Sequence, residues 1–98
     1  MIAPVSITGI GKCVPEKVVT NDDLAQLVET SDEWISKRTG IRARHVAVEE
    51  TAIELAISAA NSALTMSGES PADVGVIVAC TITAEELTPS LAGRVQRA

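Results

Sequence analysis

The chain has 98 residues, 46% of them hydrophobic and 21% charged, which is enough apolar content for the core of about one small domain. Its formal net charge of −5 argues against general nucleic-acid binding, because such binding depends on clustered Lys and Arg side chains that neutralise phosphates. Trp34 is the only aromatic residue, so a core must be built from Val, Ile, Leu and Ala.

The first part of the chain predicts one strand and two short helices. The β-branched residues between Val5 and Ile10 predict a strand that ends in the turn-forming stretch Gly11 to Pro15. The next stretch, Asn21 to Val28, predicts a short helix capped by its first residue. The sequence from Thr30 to Glu33 has the pattern of a reciprocal helix cap and predicts a second helix that runs to about Arg38.

The middle of the chain predicts an extended segment and the longest helix. Gly40 is expected to end the second helix, because glycine readily adopts the left-handed conformation that closes a helix. The stretch Ile41 to Val48 then resumes as an extended segment. Another reciprocal cap, Thr51 to Glu54, opens a helix through about Met66, with Gly68 as its terminator.

The last part of the chain predicts a turn, a strand and a final helix. Ser70 to Asp73 has the pattern of a cap and a turn, and Val74 to Cys80 is an apolar run that suits a strand covered on both faces. Ser90 is expected to cap a helix within which the chain stops. Because strands are separated by helices, the sequence predicts an α/β layered fold with a mostly parallel sheet, and residues 1–98 are expected to form a partial domain.

The start of the chain and its two cysteines bear on the compartment. The start has no basic region or long apolar run, so neither a signal peptide nor a membrane span is expected. Cys13 and Cys80 lie far apart in no metal-ligand spacing, and a reduced cytoplasmic protein is predicted. Cys80 is expected to be a buried apolar residue of its strand, and Cys13 lies in a predicted turn.

One helix face combines groups that suit a nucleotide. Thr30, Trp34 and Arg38 recur at every fourth residue and are expected to share a face. An indole stacks on a purine, and a guanidinium binds phosphates, so a phosphorylated adenine nucleotide fits. Other basic residues lie nearby and are candidate contributors to the same anionic-ligand surface, namely Lys37, Arg42 and Arg44.

A structural alternative accounts for the same residues. Trp34 would anchor a short helix, and the arginines would pair with acids such as Glu49 and Glu50. From spacing alone, this alternative is preferred. The other candidate catalytic features are weak: His45 has no activating motif around it, and the acid pairs Glu49–Glu50 and Glu85–Glu86 are expected to be solvated.

The stretch from Thr30 to His45 closely resembles the signature T-S-D-E-W-I-x-x-R-T-G-I-x-x-R-H of the beta-ketoacyl-acyl carrier protein synthase III family, in the thiolase superfamily. The opening I-T-G-I-G-x-x-x-P-E-x-V-x-T-N-D-D-L, the Ala-rich helix, the run V-G-V-I-V-A-C-T and the later T-P-S agree with that family in order and spacing. The resemblance implies the N-terminal part of a thiolase-like fold and reverses the preference for the structural alternative at Trp34 and Arg38. At Thr30 both a ligand contact and a purely structural role stay open, because helix capping would by itself account for a threonine at this position.

The resemblance also implies an activity and site residues. Family members take an acyl group from coenzyme A, a substrate and not a cofactor, and condense it with malonyl-acyl carrier protein in fatty acid biosynthesis as carbon dioxide leaves. Trp34, Arg38 and Thr30 match positions that contact the adenine and phosphate end of coenzyme A. Thr88 matches a position near the dimer contact that reaches towards the acyl pocket of the partner in a homodimer.

The same resemblance places the catalytic residues outside these 98 residues. The family's cysteine nucleophile lies in a turn beyond Ala98, and its His and Asn lie further on. Neither Cys13 nor Cys80 matches that nucleophile, so the chain alone is predicted to be inactive and to hold no metal. Two alternatives stay open: a stand-alone, non-catalytic nucleotide-binding or interaction module, and a thiolase-fold acyltransferase with another acceptor.

Overall fold

The structure is a computed structural model that describes residues 3–98. The expectation that the chain has no signal peptide at its start falls partly on Met1 and Ile2, which lie outside the described residues. The elements in chain order are β1 (Lys17–Thr20), α1 (Asn21–Ala25), α2 (Asp32–Thr39), β2 (Ala43–Val46), α3 (Ala52–Ser67), a 3-10 turn (Pro71–Asp73) and α4 (Leu91–Arg97). They fall into two units. We call Val14–Glu50 the hairpin unit, and residues 3–13 with 51–98 the long-helix unit.

The hairpin unit is built on one antiparallel strand pair. β1 and β2 pair in a register that runs from Lys17 opposite Val46 to Thr20 opposite Ala43. This confirms an extended segment within Ile41 to Val48, because β2 lies inside that range. The side chain of His45 extends from β2 to the carbonyl oxygen of Pro15, which lies 2.7 Å from Nδ1.

The helix α1 is shorter than predicted and has a different cap. Thr20, not Asn21, is the N-cap: its Oγ1 accepts from the N–H of Asp23 at 3.1 Å, and the Asp23 carboxylate accepts from the N–H of Thr20 at 2.9 Å. The N–H of Thr20 holds the pKa of the Asp23 carboxyl below its usual value. Asn21 does not cap the helix, because its side chain is turned inward and its Oδ1 accepts from Arg44 instead. The helix ends at Ala25, before the predicted Val28.

Asn21 lies at the centre of the hairpin unit. It is 1% exposed, and it is the only buried residue among residues 3–98. Its Nδ2 donates to Oδ1 of Asp32 and to the carbonyl oxygen of Ile41, each at 2.8 Å, and its Oδ1 accepts from Nη2 of Arg44 at 2.7 Å. One amide therefore joins the start of α1, the start of α2 and the strand β2.

Both ends of α3 in the long-helix unit were predicted correctly from local sequence. Thr51 Oγ1 accepts from the N–H of Glu54, and the Glu54 carboxylate accepts from the N–H of Thr51 at 2.9 Å, which is the reciprocal cap. Gly68 closes the helix with a φ of 73° and donates its N–H to Leu64. Ser70 likewise caps the 3-10 turn at Pro71, and Ser90 caps α4, as expected.

The two strands predicted in the long-helix unit are not formed by the described residues. Neither Val5 to Ile10 nor Val74 to Cys80 makes strand hydrogen bonds, and the one sheet in residues 3–98 is the antiparallel pair of the hairpin unit. A strand requires a neighbour for its backbone groups. The prediction of burial is wrong for Cys80, which is exposed. The mostly parallel sheet stays a prediction.

Two glycines let the segment before the hairpin unit lie directly on α3. A Cβ at Gly9 would meet the carbonyl oxygen of Ala63, and a Cβ at Gly11 would meet that of Ala59, both far inside ordinary contact distance. Only a residue without a side chain permits backbone to approach backbone this closely. The alanines of α3 contribute to the same close packing.

Alanine at Gly9 or Gly11 is expected to lower the free energy of unfolding by about 1–3 kcal/mol, because the added methyl group overpacks against the backbone of α3. Gly75→Ala is the matched control, since a Cβ there meets no atom within 4 Å and its φ is not left-handed. Urea titration followed by far-UV circular dichroism compares the three variants. Equal midpoints for the Gly9 and Gly75 variants would contradict the close approach.

The carboxylate of Glu50 ties the ends of the hairpin unit together. It accepts from the N–H groups of Val48 at 3.0 Å, Glu49 at 3.2 Å and Glu16 at 3.2 Å. These backbone donors, that of Val48 foremost, lower the pKa of the Glu50 carboxyl from 4.5 to about 2. The expectation that Glu49–Glu50 is merely solvated surface is therefore wrong for Glu50.

The lowered pKa predicts how stability depends on pH. Because the folded-state pKa lies below the unfolded value of 4.5, Glu50 stabilises the hairpin unit above pH 4.5, and this contribution is lost as the pH falls towards 2. Glu50→Gln should flatten the fall in stability over that range. Urea unfolding at several pH values, read by the fluorescence of Trp34, measures it. Glu49→Gln is the control, and an identical pH profile for both variants would refute the role of Glu50.

Candidate binding site on the second helix

The candidate site is on α2, whose ends are defined by local hydrogen bonds. The hydroxyl of Ser31 accepts from the N–H of Trp34 at 3.1 Å, so Ser31 is the N-cap. At the other end Gly40 has a φ of 74° and donates its N–H to Ser36, which confirms the predicted stop. Asp32 and Glu33 in the first turn, and Lys37 and Arg38 in the last, all suit the helix dipole.

Trp34 and Arg38 form a pair on the surface of α2. They are four residues apart, and the guanidinium carbon of Arg38 lies 4.7 Å from the centroid of the Trp34 ring. This is a cation–π contact, which holds a positive charge over one face of the indole. Trp34 is 55% exposed. The arrangement offers an accessible aromatic surface and a positive charge side by side.

Thr30 lies outside the helix that carries this pair. The helix begins at Asp32 with Ser31 as its cap, so the expectation that Thr30 caps the helix and shares its face at helical spacing is wrong. The cap lies one residue later than predicted, because the hydroxyl of Ser31 is the one that accepts from the N–H of Trp34. Thr30 is half-buried, and its hydroxyl makes no hydrogen bond within residues 3–98. Its capping role is thereby excluded, and a ligand role stays a proposal.

The basic residues around α2 have different environments. Arg42 forms a salt bridge of 3.5 Å with Asp32 and stays mostly exposed. Arg44 is half-buried and donates to the carbonyl of Val19 at 3.2 Å as well as to Asn21. Arg44 therefore stabilises the hairpin unit, and its contribution to the anionic-ligand surface stays a prediction. Lys37 is exposed on α2.

The arginines of the hairpin unit do not pair with the acids named in the structural alternative. Arg42 pairs with Asp32, whereas Glu50 is bound to backbone N–H groups. Spacing alone did not identify these partners, because the Arg42–Asp32 pair spans α2 and the Glu50 carboxylate also accepts from the distant N–H of Glu16. Asn21, which was predicted only as a helix cap, was missed for the same reason.

Thr88 lies in the loop that precedes α4 in the long-helix unit. It is exposed, and the Ser90 hydroxyl two residues later accepts from Gly93 N–H at 3.1 Å to begin α4. Glu85 holds the start of the loop: one carboxylate oxygen accepts from the N–H of Ile53 at 3.3 Å, and the other lies 3.5 Å from Nη1 of Arg94. Glu85 is thus bound as well as solvated, which the sequence analysis did not foresee.

The described residues offer no metal site and no membrane-spanning helix. Within residues 3–98, no group of three or more His, Cys, Asp and Glu side chains is arranged to hold a metal ion. Over the same range, no helix is long and apolar enough to cross a membrane. Cys13 is half-buried and Cys80 is exposed.

Known proteins resemble the chain along nearly its whole length. The beta-ketoacyl-[acyl-carrier-protein] synthase III of Thioalkalivibrio sulfidiphilus is 51% identical over 92 residues, which are 93% of this chain and 29% of that protein. The crystal structure of 3-oxoacyl-[acyl-carrier-protein] synthase III from Aquifex aeolicus VF5 matches with a TM-score of 0.90 at 44% identity, over 93% of this chain and 30% of that one. The crystal structure of the priming beta-ketosynthase from the R1128 polyketide biosynthetic pathway matches with a TM-score of 0.88 at 32% identity. The match covers 93% of this chain and 28% of that one. No protein-family model matches.

These similarities confirm the resemblance seen in the signature and the α/β class of the fold. The chain spans about 29% of the length of the first curated relatives it matches.

Proposed function

We propose that this chain, a homologue of the beta-ketoacyl-[acyl-carrier-protein] synthases III, is part of an enzyme that condenses an acyl group from coenzyme A with malonyl-acyl carrier protein, with loss of carbon dioxide, in fatty acid biosynthesis. The role of these 98 residues is to bind coenzyme A and to provide scaffold. The observation that carries the proposal is the exposed Trp34–Arg38 pair on α2, in a chain with this homology.

The chemistry of the pair matches the adenosine end of coenzyme A. A purine that stacks on an indole contributes about 1–3 kcal/mol, and the exposed surface of Trp34 is accessible for such stacking. Arg38 covers one face of the ring, so the purine takes the opposite face. The guanidinium beside it is the group that binds phosphate most strongly through charge-assisted hydrogen bonds.

Thr30 and Lys37 complete the proposed site. The Thr30 hydroxyl has no hydrogen-bond partner within residues 3–98, which leaves it available to a polar group of the ligand. Lys37 adds positive charge next to Arg38 on the same helix. Coenzyme A is a substrate in this scheme, and no cofactor or metal is required. We place the enzyme in the cytoplasm as a homodimer.

A second candidate is a priming ketosynthase with another acyl acceptor. The match to the priming beta-ketosynthase of the R1128 polyketide pathway, at 32% identity and a TM-score of 0.88, favours it. Both candidates share the coenzyme A site and differ in the acceptor. Product analysis with malonyl-acyl carrier proteins from fatty acid and polyketide systems distinguishes them.

Trp34→Ala and Arg38→Ala in the full-length protein should each raise the Kd for coenzyme A by about tenfold, since stacking and charge-assisted bonds contribute roughly 1–3 kcal/mol each. Isothermal titration calorimetry measures the affinity. Binding of pantetheine, which lacks the adenine and its phosphates, should not change. Arg97→Ala, which removes a charge from α4, is the control. Unchanged coenzyme A affinity in both α2 variants would remove the proposed site.

Thr88 is proposed to border the acyl pocket of the partner subunit. A small side chain leaves space for a longer acyl primer, so Thr88→Phe should shift preference towards shorter acyl chains. Competition between acyl-coenzyme A substrates of different length measures the shift. Thr83→Phe, at another exposed threonine of the same stretch, is the matched control. The same length preference in both variants would reject the assignment.

A further inference from the structure

Asn21 is a polar side chain enclosed by protein, and its amide is fully paired. Both N–H groups of Nδ2 donate, to Asp32 and to Ile41, while Oδ1 accepts from Arg44. The orientation of the amide is set by its neighbours, because a carboxylate and a carbonyl require a donor and a guanidinium requires an acceptor. A buried amide is costly unless it is paired in this way.

The two groups that Nδ2 binds lie on either side of the candidate site. Asp32 is the first residue of α2, and Ile41 follows Gly40, which ends α2. One nitrogen atom therefore joins the two ends of a loop of chain that contains Trp34 and Arg38. The salt bridge between Arg42 and Asp32 reinforces the closure at the same carboxylate.

The third bond of the amide fixes this loop to the strands. Arg44 donates from Nη2 to Asn21 and from Nη1 to the carbonyl of Val19 in β1. The backbone N–H of Asn21 donates in turn to the carbonyl of Arg42. The position of α2 on the strand pair thus depends on one amide and one guanidinium.

We propose that Asn21 is a positioning residue for coenzyme A: it touches no substrate but sets the orientation of α2 and so of Trp34 and Arg38. This inference rests on the proposed function. Trp34 and Arg38 are exposed and contact each other, so little besides the helix itself sets their place. Loss of the amide should therefore weaken ligand binding and leave the chemical step intact.

Asn21→Ala in the full-length protein should raise KM for the acyl-coenzyme A substrate and Kd for coenzyme A by about tenfold, with kcat within about twofold of the unaltered enzyme. Thr20→Ala is the matched control, because it removes the cap of the adjacent helix α1 and destabilises the same unit without touching Asp32 or Ile41. Thr20→Ala should leave KM unchanged, although it lowers the free energy of unfolding by an amount comparable to that for Asn21→Ala.

A rescue pair tests the mechanism, and also serves if Asn21→Ala does not fold. Asn21→Asp places a carboxylate against that of Asp32 and should raise KM at least as much. Adding Asp32→Asn restores a donor between the two positions, but neither the bond to Ile41 nor the salt bridge with Arg42, and should recover part of the affinity. Absence of recovery, or an equal rise in KM for Thr20→Ala, would overturn the positioning role.

The outcome separates this inference from the proposed function. If Trp34→Ala leaves the affinity for coenzyme A unchanged, the proposed site itself fails. If Trp34→Ala weakens binding while Asn21→Ala changes neither KM nor Kd, only the positioning role of Asn21 is wrong.

Discussion

The hairpin unit depends on the side-chain amide of Asn21. This is the one buried residue in 3–98, and its amide makes three hydrogen bonds to three different parts of the chain. A unit with only four-residue strands and two short helices buries little apolar surface, so a paired polar group at its centre specifies its arrangement. Removing any one of its three partners would leave an atom of this buried amide unpaired.

The candidate site combines a rigid support with exposed binding groups. The ends of α2 are fixed by Ser31, Gly40 and the Asn21 amide, whereas Trp34 and Arg38 extend from its surface. Exposed groups on a fixed helix can bind a ligand reversibly without a rearrangement of the fold. The cation–π contact also limits the movement of both side chains before a ligand arrives, which lowers the entropy cost of binding.

The long-helix unit is held together differently. Its contacts are backbone to backbone, with Gly9 and Gly11 against the alanine-rich α3, and α3 in turn contacts α4. Small residues permit this approach, and Glu85 adds a polar link from the Thr88 loop to the first turn of α3 and to Arg94. Many of its apolar side chains are exposed in the described chain, Val5, Val78 and Leu87 among them. The hairpin unit is thus stabilised by a paired polar group at its centre, whereas the long-helix unit is stabilised by close packing against α3.

Local signals in the sequence determined both ends of α3 and the end of α2. The reciprocal cap at Thr51–Glu54 and the stops at Gly40 and Gly68 act within four residues, so the sequence alone located them. The signature from Thr30 to His45 revealed a resemblance that the comparison with known proteins confirms. Only the tertiary structure decided which groups meet across longer separations. The bonds of the Asn21 amide, the bond from the N–H of Glu16 to Glu50 and the Arg42–Asp32 pair join residues that are far apart in the sequence, and no pattern of residue spacing encodes them. The expected strands at 5–10 and 74–80 show the same limit, because strand propensity is local whereas the partner that makes a strand is not.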